Sequence, residues 1–302
     1  MQRLRSLFLT LILSVVGVVG AGMVPAAAET AKTCHTQYPI LLVHGAGFRD
    51  KILFTSYWGR IPAALEAQGA QLFYGGTDIW GSIEQSAAVL QKTVDGILAK
   101  TGASKVNIIA HSKGGIEARY MIASLGMADK VASLTTISTP HRGSKTVDLY
   151  LGWPTFLQKA VAVPLNAVSF LRGDKRPDFY RGVLALGTEY MTDFNQKNPD
   201  AAGVYYQSWA GEMTVPGSDL ILFLTNQVIN KREGRNDGMV TVESAKWGNF
   251  RGVIRSNATR GVSHIDEIDG RRMNFPAGAG DGYNDIRVFY MDLVRDLKAR
   301  GY

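Results

Sequence analysis

A short apolar run that enters a serine between small residues constrains this chain more than any other feature. Residues 108–116 read IIAHSKGGI, so an apolar segment leads into Ser112 and a helix-forming segment leads out of it. Ala110 lies two positions before the serine and Gly114 two positions after it. A strand that turns sharply into a helix crowds the turning residue, and small side chains at these two positions relieve the crowding. The pattern predicts a strand, a tight turn at Ser112 and a helix.

The rest of the chain alternates strand-like and helix-like segments in the same way. Short apolar or β-branched runs predict strands at residues 39–43, 71–74, 105–110, 131–138 and 203–209. Helical patterns occur at residues 83–97, 116–122 and 288–297. Strands that alternate with helices predict an α/β fold, with a mostly parallel central sheet and helices on both of its faces.

The composition agrees with a folded domain and excludes several other classes of protein. The 302 residues are 46% hydrophobic and 20% charged, which argues against disorder, collagen and coiled coil. A single cysteine excludes an intrachain disulfide framework and a cysteine-rich zinc module. The net charge of +7 comes without a dense block of Lys and Arg among aromatic residues. No nucleic-acid partner is therefore expected.

Residues 1–28 have the three parts of an export signal. Two arginines form the basic part, residues 7–19 form the apolar part, and residues 26–28 are three alanines at which a signal peptidase would cut. A retained membrane anchor is the alternative, because the apolar stretch is nearly long enough to span a bilayer. We predict a signal peptide and a mature chain at 29–302 that is exported, either to the extracellular medium or to the periplasm.

Ser112 is also placed for nucleophilic chemistry. The predicted turn sets its hydroxyl at the N-terminus of the following helix, where the helix dipole and free N–H groups favour developing negative charge. A serine needs a base, and the chain has five histidines. In hydrolases of this α/β type the serine, the acid and the histidine follow one another along the chain. His264 is the only histidine far downstream of Ser112, so it is the predicted base.

The acid should lie between Ser112 and His264, in a loop after a late strand. Asp237 fits best, because the Asn-Asp-Gly sequence around it forms a tight turn that can aim a carboxylate at an imidazole. Asp219 and Glu212 are the rival candidates. In the predicted triad, Asp237 fixes the tautomer of His264. The imidazole then takes the proton of the serine during attack and returns it to the leaving group.

A tetrahedral intermediate at the serine needs two backbone N–H groups aimed at its oxygen. Lys113, the residue after the serine, is expected to supply one of them. Ala46 is expected to supply the other because it follows the first His-Gly pair, and Gly45 and Gly47 beside it would let the backbone approach closely. The predicted oxyanion hole is therefore Ala46 and Lys113.

The interval at about 149–187 interrupts the order of strands and helices. It contains an apolar stretch at residues 160–171, and no linker rich in Pro or Ser divides the chain into two halves. We therefore predict one catalytic domain over 29–302 with an insertion. The insertion is either a set of extra helices packed on the core or a mobile lid whose apolar inner face covers a hydrophobic active site.

Six short segments form a joint pattern that is more specific than any one of them. They are 39–45 (PILLVHG), 110–115 (AHSKGG), 139–144 (TPHRGS), 206–211 (YQSWAG), 236–238 (NDG) and 264–267 (HIDE). The pattern resembles the bacterial secreted triacylglycerol lipases, and most closely their calcium-dependent, foldase-assisted branch. The resemblance implies an α/β-hydrolase fold with a lid, a secretion foldase as partner, and hydrolysis of carboxylic esters at a lipid–water interface. It implies the same nucleophile, acid, base and oxyanion donors as assigned above.

The resemblance also implies a structural calcium ion near the histidine loop. Its side-chain ligands would be Asp219 and Asp266, with backbone carbonyls near Gly270 and Asn274, and such oxygen ligands suit a hard cation. The alternative is that the two aspartates are polar surface residues. The likeness fades here, since Gly270 stands where the family usually has Gln. Lys113 is a further departure, because its charged side chain replaces the usual Gln or His and would put a positive charge near the mouth of the site.

The leading prediction is a secreted lipase or carboxylesterase that forms an acyl-enzyme at Ser112. A phospholipase A or a polyester hydrolase with the same triad is the second candidate. A non-catalytic lipid-binding protein on a hydrolase fold is the third, and the presence of Ser112, Asp237 and His264 together counts against it.

Overall fold

The computed structural model describes residues 32–302 apart from 53–54, 172, 175–176 and 216–218. The predicted signal peptide at 1–28, and the membrane anchor that is its alternative, lie outside the described residues. Lys32 to Tyr302 form one unit by their internal contacts.

Six parallel strands of the described chain form its central sheet. Numbered in chain order, all the strands of the described residues, those outside this sheet included, are β1 (Ile40–Val43), β2 (Lys51–Ile52), β3 (Thr55–Ser56), β4 (Leu72–Tyr74), β5 (Val106–His111), β6 (Val131–Ile137), β7 (Tyr205–Ala210), β8 (Glu212–Met213), β9 (Asn249–Val253) and β10 (Gly261–Val262). The sheet has the order β4-β1-β5-β6-β7-β9, and all its pairings are parallel. The short strands form two antiparallel pairs, β2 with β3 and β8 with β10. The predicted α/β fold is confirmed.

Helices connect the strands. They are α1 (Ile61–Ala67), α2 (Ile83–Thr101), α3 (Lys113–Ser124), α4 (Lys145–Leu151), α5 (Thr155–Leu171), α6 (Phe179–Leu184), α7 (Thr188–Lys197), α8 (Phe223–Glu233), α9 (Val242–Ala245) and α10 (Ile286–Ala299). Short 3₁₀ turns occur at Ala128–Lys130, Asp266–Ile268 and Arg272–Asn274. The helices predicted at 83–97, 116–122 and 288–297 lie within α2, α3 and α10. Within the described part of the chain, no helix has the length and apolar content needed to cross a membrane.

Alternate residues of each inner strand face two different helical layers. Ile40 and Leu42 of β1 belong to a cluster that also contains the buried residues of α1 and α10. Leu41 and Val43 belong to the opposite cluster, with the buried faces of α2 and α3. A strand that is buried on both faces has apolar residues without alternation, which is why these runs are continuous in the sequence.

The sixth strand, β9, was not predicted from the sequence. It reads NFRGV, lies at the edge of the sheet beside β7, and is exposed at Asn249 and half-buried elsewhere. Gly252 has a φ of 127°, and the register with β7 shifts between Ser208 and Trp209. An edge strand with charged residues and a local irregularity lacks the apolar run that identifies inner strands.

The interval at about 149–187 contains the end of α4 and the whole of α5 and α6. α5 is the most apolar of these helices, and several of its large side chains face solvent. Phe156 is 70% exposed and Leu171 is 84% exposed. The insertion is therefore helical, with an unusually apolar outer surface.

Candidate active site

Ser112 occupies the turn between β5 and α3. Its φ of 54° and ψ of −133° form a conformation that residues with a Cβ rarely adopt, so the backbone is strained there. The amide of Ser112 donates to the carbonyl of Ile137 in β6 at 2.9 Å, which ties the turn to the sheet. A Cβ on Gly114 would lie 2.4 Å from the carbonyl oxygen of His44. The turn needs a small residue at this position, as predicted.

Asp237 and His264 contact each other directly. Oδ2 of Asp237 lies 2.7 Å from Nδ1 of His264, and Oδ1 accepts from the amides of Met239 at 2.8 Å and Val240 at 2.7 Å. The buried carboxylate is thus held on both oxygens. Burial acts to raise the pKa of Asp237, but the His264 ring and the two amides outweigh it and lower that pKa below its ordinary value. The pair is arranged as an ionised carboxylate that orients an imidazole.

The rival acids have other partners. Glu212 forms a surface ion pair with Arg235, whose Nε lies 2.6 Å from Oε1 of the carboxylate. Asp219 lies 2.8 Å from the guanidinium of Arg271. Of the three candidates, Asp237 is the one whose carboxylate hydrogen-bonds His264.

His264 lies beside the serine turn, and Ser112 itself borders an apolar cavity. The His264 ring contacts the ring of His111, the residue before Ser112, in a tilted arrangement with centroids 4.3 Å apart. Ser112 is half-buried and borders a cavity of about 250 Å³. Apolar side chains from α4, α5, α6 and the Asp237 loop line that cavity, among them Val147, Val161, Phe179, Val183 and Met239. The structure therefore places the serine, the imidazole and the carboxylate in one region with room for an apolar group.

The end of β1 also reaches the serine turn. A Cβ on Gly45 would lie 2.7 Å from the Cβ of Ser112, so this close approach requires glycine. The amide of Gly45 donates to a tyrosine hydroxyl at 3.0 Å, and that of Gly47 donates to a backbone carbonyl at 3.1 Å. Ala46 lies between these two fixed glycines. Lys113 is the first residue of α3, so its N–H has no acceptor within the helix.

The side chain of Lys113 does not lie at the mouth of the site. It is only 1% exposed, and its Nζ donates to the carbonyl of Gly81 at 2.8 Å and to the buried carboxylate of Glu117. The prediction of a positive charge near the site mouth is therefore wrong, because an internal ion pair neutralises that charge. Glu117 lies four residues after Lys113 on the same helix face, a spacing that could have indicated the pair.

Two further histidines are buried and hydrogen-bonded within the fold. Nδ1 of the buried His44 lies 2.8 Å from the carbonyl of Gly45, and its Nε2 lies 3.2 Å from the carbonyl of Thr77. Nε2 of His141 lies 2.9 Å from Oγ1 of Thr136, and burial lowers the pKa of His141 well below its ordinary value. These contacts agree with the choice of His264 as base.

A second buried carboxyl lies beside the Asp237–His264 pair. Oε2 of Glu267 is 2.9 Å from Nε2 of His111 and 4.0 Å from Nδ1 of His264, while Oε1 accepts from Oγ of Ser138 at 2.8 Å. Burial, with the charge of Asp237, raises the pKa of Glu267 well above its ordinary value, and burial lowers the pKa of His111. Both pKa shifts favour the neutral forms of Glu267 and His111. Glu267 is not recognisable from the sequence as a site residue, because no local pattern shows that this carboxyl is buried.

We predict that Glu267→Gln keeps most of the folding free energy, whereas Glu267→Ala loses about 2–4 kcal/mol. Glutamine preserves the shape and hydrogen bonds of a neutral carboxyl, but alanine leaves buried partners unpaired. Urea unfolding of both variants measures the difference.

The free energy of unfolding of the wild type is also expected to depend on pH through Glu267. The folded protein retains a proton on Glu267 that the unfolded chain releases, so stability of the wild type falls as the pH rises above the ordinary pKa of glutamate. Glu267→Gln lacks that fall. Equal destabilisation by the glutamine and alanine variants would show that the carboxyl is charged in the folded state.

Asp219 and Asp266 come together, as the calcium prediction requires, but an arginine lies between them. Arg271 places Nη2 2.8 Å from Oδ2 of Asp219 and Nε 3.2 Å from Oδ1 of Asp266. The carbonyl of Asn274, one of the predicted ligands, accepts from the guanidinium of Arg260 at 2.7 Å. A cation would have to occupy space that the Arg271 guanidinium fills. The residues as arranged do not fit a bound calcium ion.

The chain is similar to proteins of known activity over most of its length. It is 36% identical to a triacylglycerol lipase of Vibrio cholerae over 261 residues, covering 78% of this chain and 80% of the relative. It is 30% identical to triacylglycerol lipase 2 of Saccharomyces cerevisiae over 265 residues, covering 83% and 76%. No protein-family model matches the chain.

A solved structure supports the same fold. The mature form of a Bacillus licheniformis lipase superposes with a TM-score of 0.61 at 21% identity, covering 85% of this chain and 91% of that one. The similarity to the Vibrio cholerae enzyme extends over more than two thirds of both chains. Together with the serine turn and the buried Asp237–His264 contact, it shows that the chain belongs to the triacylglycerol lipase family of α/β-hydrolases.

Proposed function

We propose that this chain is a secreted carboxylic ester hydrolase, a triacylglycerol lipase or carboxylesterase, with Ser112 as nucleophile, Asp237 as acid and His264 as base. The observation that carries the proposal is the 2.7 Å contact between Asp237 and His264 beside the strained Ser112. A serine on such a turn, with an oriented imidazole next to it, is the arrangement that acyl transfer requires. The activities of the two relatives support the same assignment.

The reaction follows from these positions. Oγ of Ser112 attacks the ester carbonyl while Nε2 of His264 takes its proton, and Asp237 stabilises the imidazolium through Nδ1. The amides of Ala46 and Lys113 donate to the oxygen of the tetrahedral intermediate. The imidazolium then protonates the leaving alcohol, and the acyl group stays on the serine. Water, deprotonated by His264, attacks this ester and releases the acid.

The substrate is proposed to be a lipid ester at an interface. The cavity of about 250 Å³ beside Ser112 is lined mainly by apolar side chains, which suits an acyl chain. On the outer surface, α5 and the start of α8 expose large apolar side chains, namely Phe156, Phe170, Leu171, Leu220 and Leu224. Such a surface favours contact with lipid, and we propose that the helical insertion at about 149–187 is the lid over the cavity.

Export and assisted folding complete the proposal. The signal-like residues 1–28 support secretion, and the resemblance to the foldase-assisted branch supports a secretion foldase as partner. Expression with and without a foldase from that branch tests whether the protein needs a foldase to fold. We expect a larger yield of active protein in the presence of the foldase. Equal specific activity and yield in both cases would contradict the proposed foldase requirement.

Rates of hydrolysis on four substrates test the substrate class. We expect higher rates on triglyceride emulsions than on short soluble esters at equal ester concentration, since the apolar surface concentrates the enzyme at the interface. The panel is completed by phospholipid vesicles and a polyester film, with Ser112→Ala as the blank. A preference for short soluble esters would contradict interfacial action. Preference for phospholipid or polyester would favour a phospholipase A or a polyester hydrolase with the same triad.

A further inference from the structure

Asp219 and Asp266 are two almost fully buried carboxylates that converge on one positive side chain. Their side chains are each 2% exposed, whereas that of Arg271 is 23% exposed and reaches in from the surface. Nη2 of Arg271 lies 2.8 Å from Oδ2 of Asp219 and 3.2 Å from Oδ2 of Asp266. The same nitrogen lies 3.1 Å from Oγ of Ser263. The guanidinium is thus at the centre of the cluster.

Three of the four carboxylate oxygens accept hydrogen bonds from protein donors. Oδ1 of Asp219 accepts from the amides of Ile221 at 3.0 Å and Leu222 at 3.2 Å, and Oδ2 accepts from Ser263 Oγ at 2.8 Å. Oδ2 of Asp266 accepts from the amide of Ser263 at 3.1 Å. Its Oδ1 lies 3.2 Å from Nε of Arg271, which is an ion pair without a hydrogen bond. Calcium needs six to eight oxygen ligands directed at one point. Three of these four oxygens are directed at N–H and O–H groups instead, and the fourth is paired with the charge of Arg271.

Two buried carboxylates cannot both stay ionised without a compensating positive charge. The guanidinium is always protonated and presents a planar set of donors that can serve two carboxylates at once. We propose that Arg271 supplies this charge in place of a calcium ion, and that the chain holds its histidine loop without any divalent cation. The proposal does not depend on which ester the enzyme cleaves.

The cluster fixes the segment that carries the base. Ser263 directly precedes His264, and Asp266 follows it by two residues, so Arg271 ties both sides of the histidine to Asp219 in the loop before α8. A second arginine holds the next turn. Arg60 lies 2.6 Å from Oδ1 of Asp269 through Nη2. The ion pairs of Arg271 and Arg60 thus hold the loop in position, as a metal ion would.

Calcium dependence of the wild type is the first test. Tm is measured for the protein as purified, after dialysis against EDTA, and after the subsequent addition of millimolar calcium. Calcium binding is followed by isothermal titration. We expect the same Tm in all three states and no binding isotherm, because binding to the folded state would raise Tm. A Tm that falls in EDTA and returns with calcium would overturn the proposal.

Arg271→Gln, with Arg272→Gln as a matched control, is the second test. Arg272 is the next residue and its side chain is exposed. We expect Arg271→Gln to lower Tm by about 5–10 °C, since it strands two buried charges, and Arg272→Gln to leave Tm unchanged. In the Arg271→Gln background, Asp219→Asn should recover part of the loss by removing one stranded charge. Equal Tm values for the two arginine variants would overturn the proposal. If Arg271→Gln does not fold, the calcium measurements on the wild type decide.

Discussion

Ser112→Ala is expected to lower kcat for ester hydrolysis by about 10⁴–10⁶-fold while the protein stays folded. Without Oγ no acyl-enzyme can form, and what remains is stabilisation of the oxyanion by the proposed donors, the amides of Ala46 and Lys113. The measurement is the hydrolysis of a chromogenic ester under saturating conditions, with far-UV circular dichroism as a check of the fold. Ser104→Ala, at an exposed serine, is the matched control and should retain full activity.

A second substitution at the same position separates chemistry from folding. Ser112 has a φ of 54°, which glycine adopts without strain and residues with a Cβ adopt only rarely. Ser112→Gly should therefore be inactive yet more stable than Ser112→Ala, by about 1 kcal/mol. Full activity in the alanine variant would exclude Ser112 as nucleophile. Equal stability of the two variants would show that the turn is not strained.

The sequence identified the elements that are constrained locally. The inner strands appear as apolar runs because both faces of the sheet are covered, and the turn at Ser112 appears through the small residues that its geometry demands. Chain order and the small number of histidines were enough to select His264. In each of these cases the prediction depends on neighbouring residues or on the order of residues along the chain.

The contacts that the sequence did not reveal join residues far apart in the chain. Glu267 is buried against Ser138 and His111, and its pKa depends on that burial. Arg271 meets Asp219 across more than fifty positions, so the resemblance alone suggested two carboxylates open to calcium. Side-chain identities do not show which charged groups a fold brings together, because pairing depends on the tertiary path of each loop.

Asp237→Asn is expected to lower kcat by about 10³–10⁴-fold with little change in KM. The carboxylate at 2.7 Å holds His264 with its proton on Nδ1, which leaves Nε2 free to accept the proton of the serine. An amide at the same place can donate to Nδ1 and stabilise the opposite tautomer, in which Nε2 carries the proton and cannot act as a base. Because the amide is similar in size to the carboxylate, the substitution slows the chemical step and leaves substrate binding nearly unchanged.

Glu212→Gln and Asp219→Asn complete this experiment, since both residues were rival acids in the sequence. Glu212 pairs with Arg235 at the surface, so its variant should keep the kcat of the wild type. Asp219 lies in the Arg271 cluster, and its variant should lower Tm while the active molecules retain their kcat, because its carboxylate orients the loop and does not touch His264. A kcat for Asp237→Asn equal to that of Glu212→Gln would exclude Asp237 as the acid. A second carboxyl, that of Glu267, lies only 4.0 Å from Nδ1 of His264. Burial is the larger cause of the raised pKa of Glu267 and persists in Asp237→Asn, so we expect Glu267 to stay neutral and not to replace the charge that this variant removes.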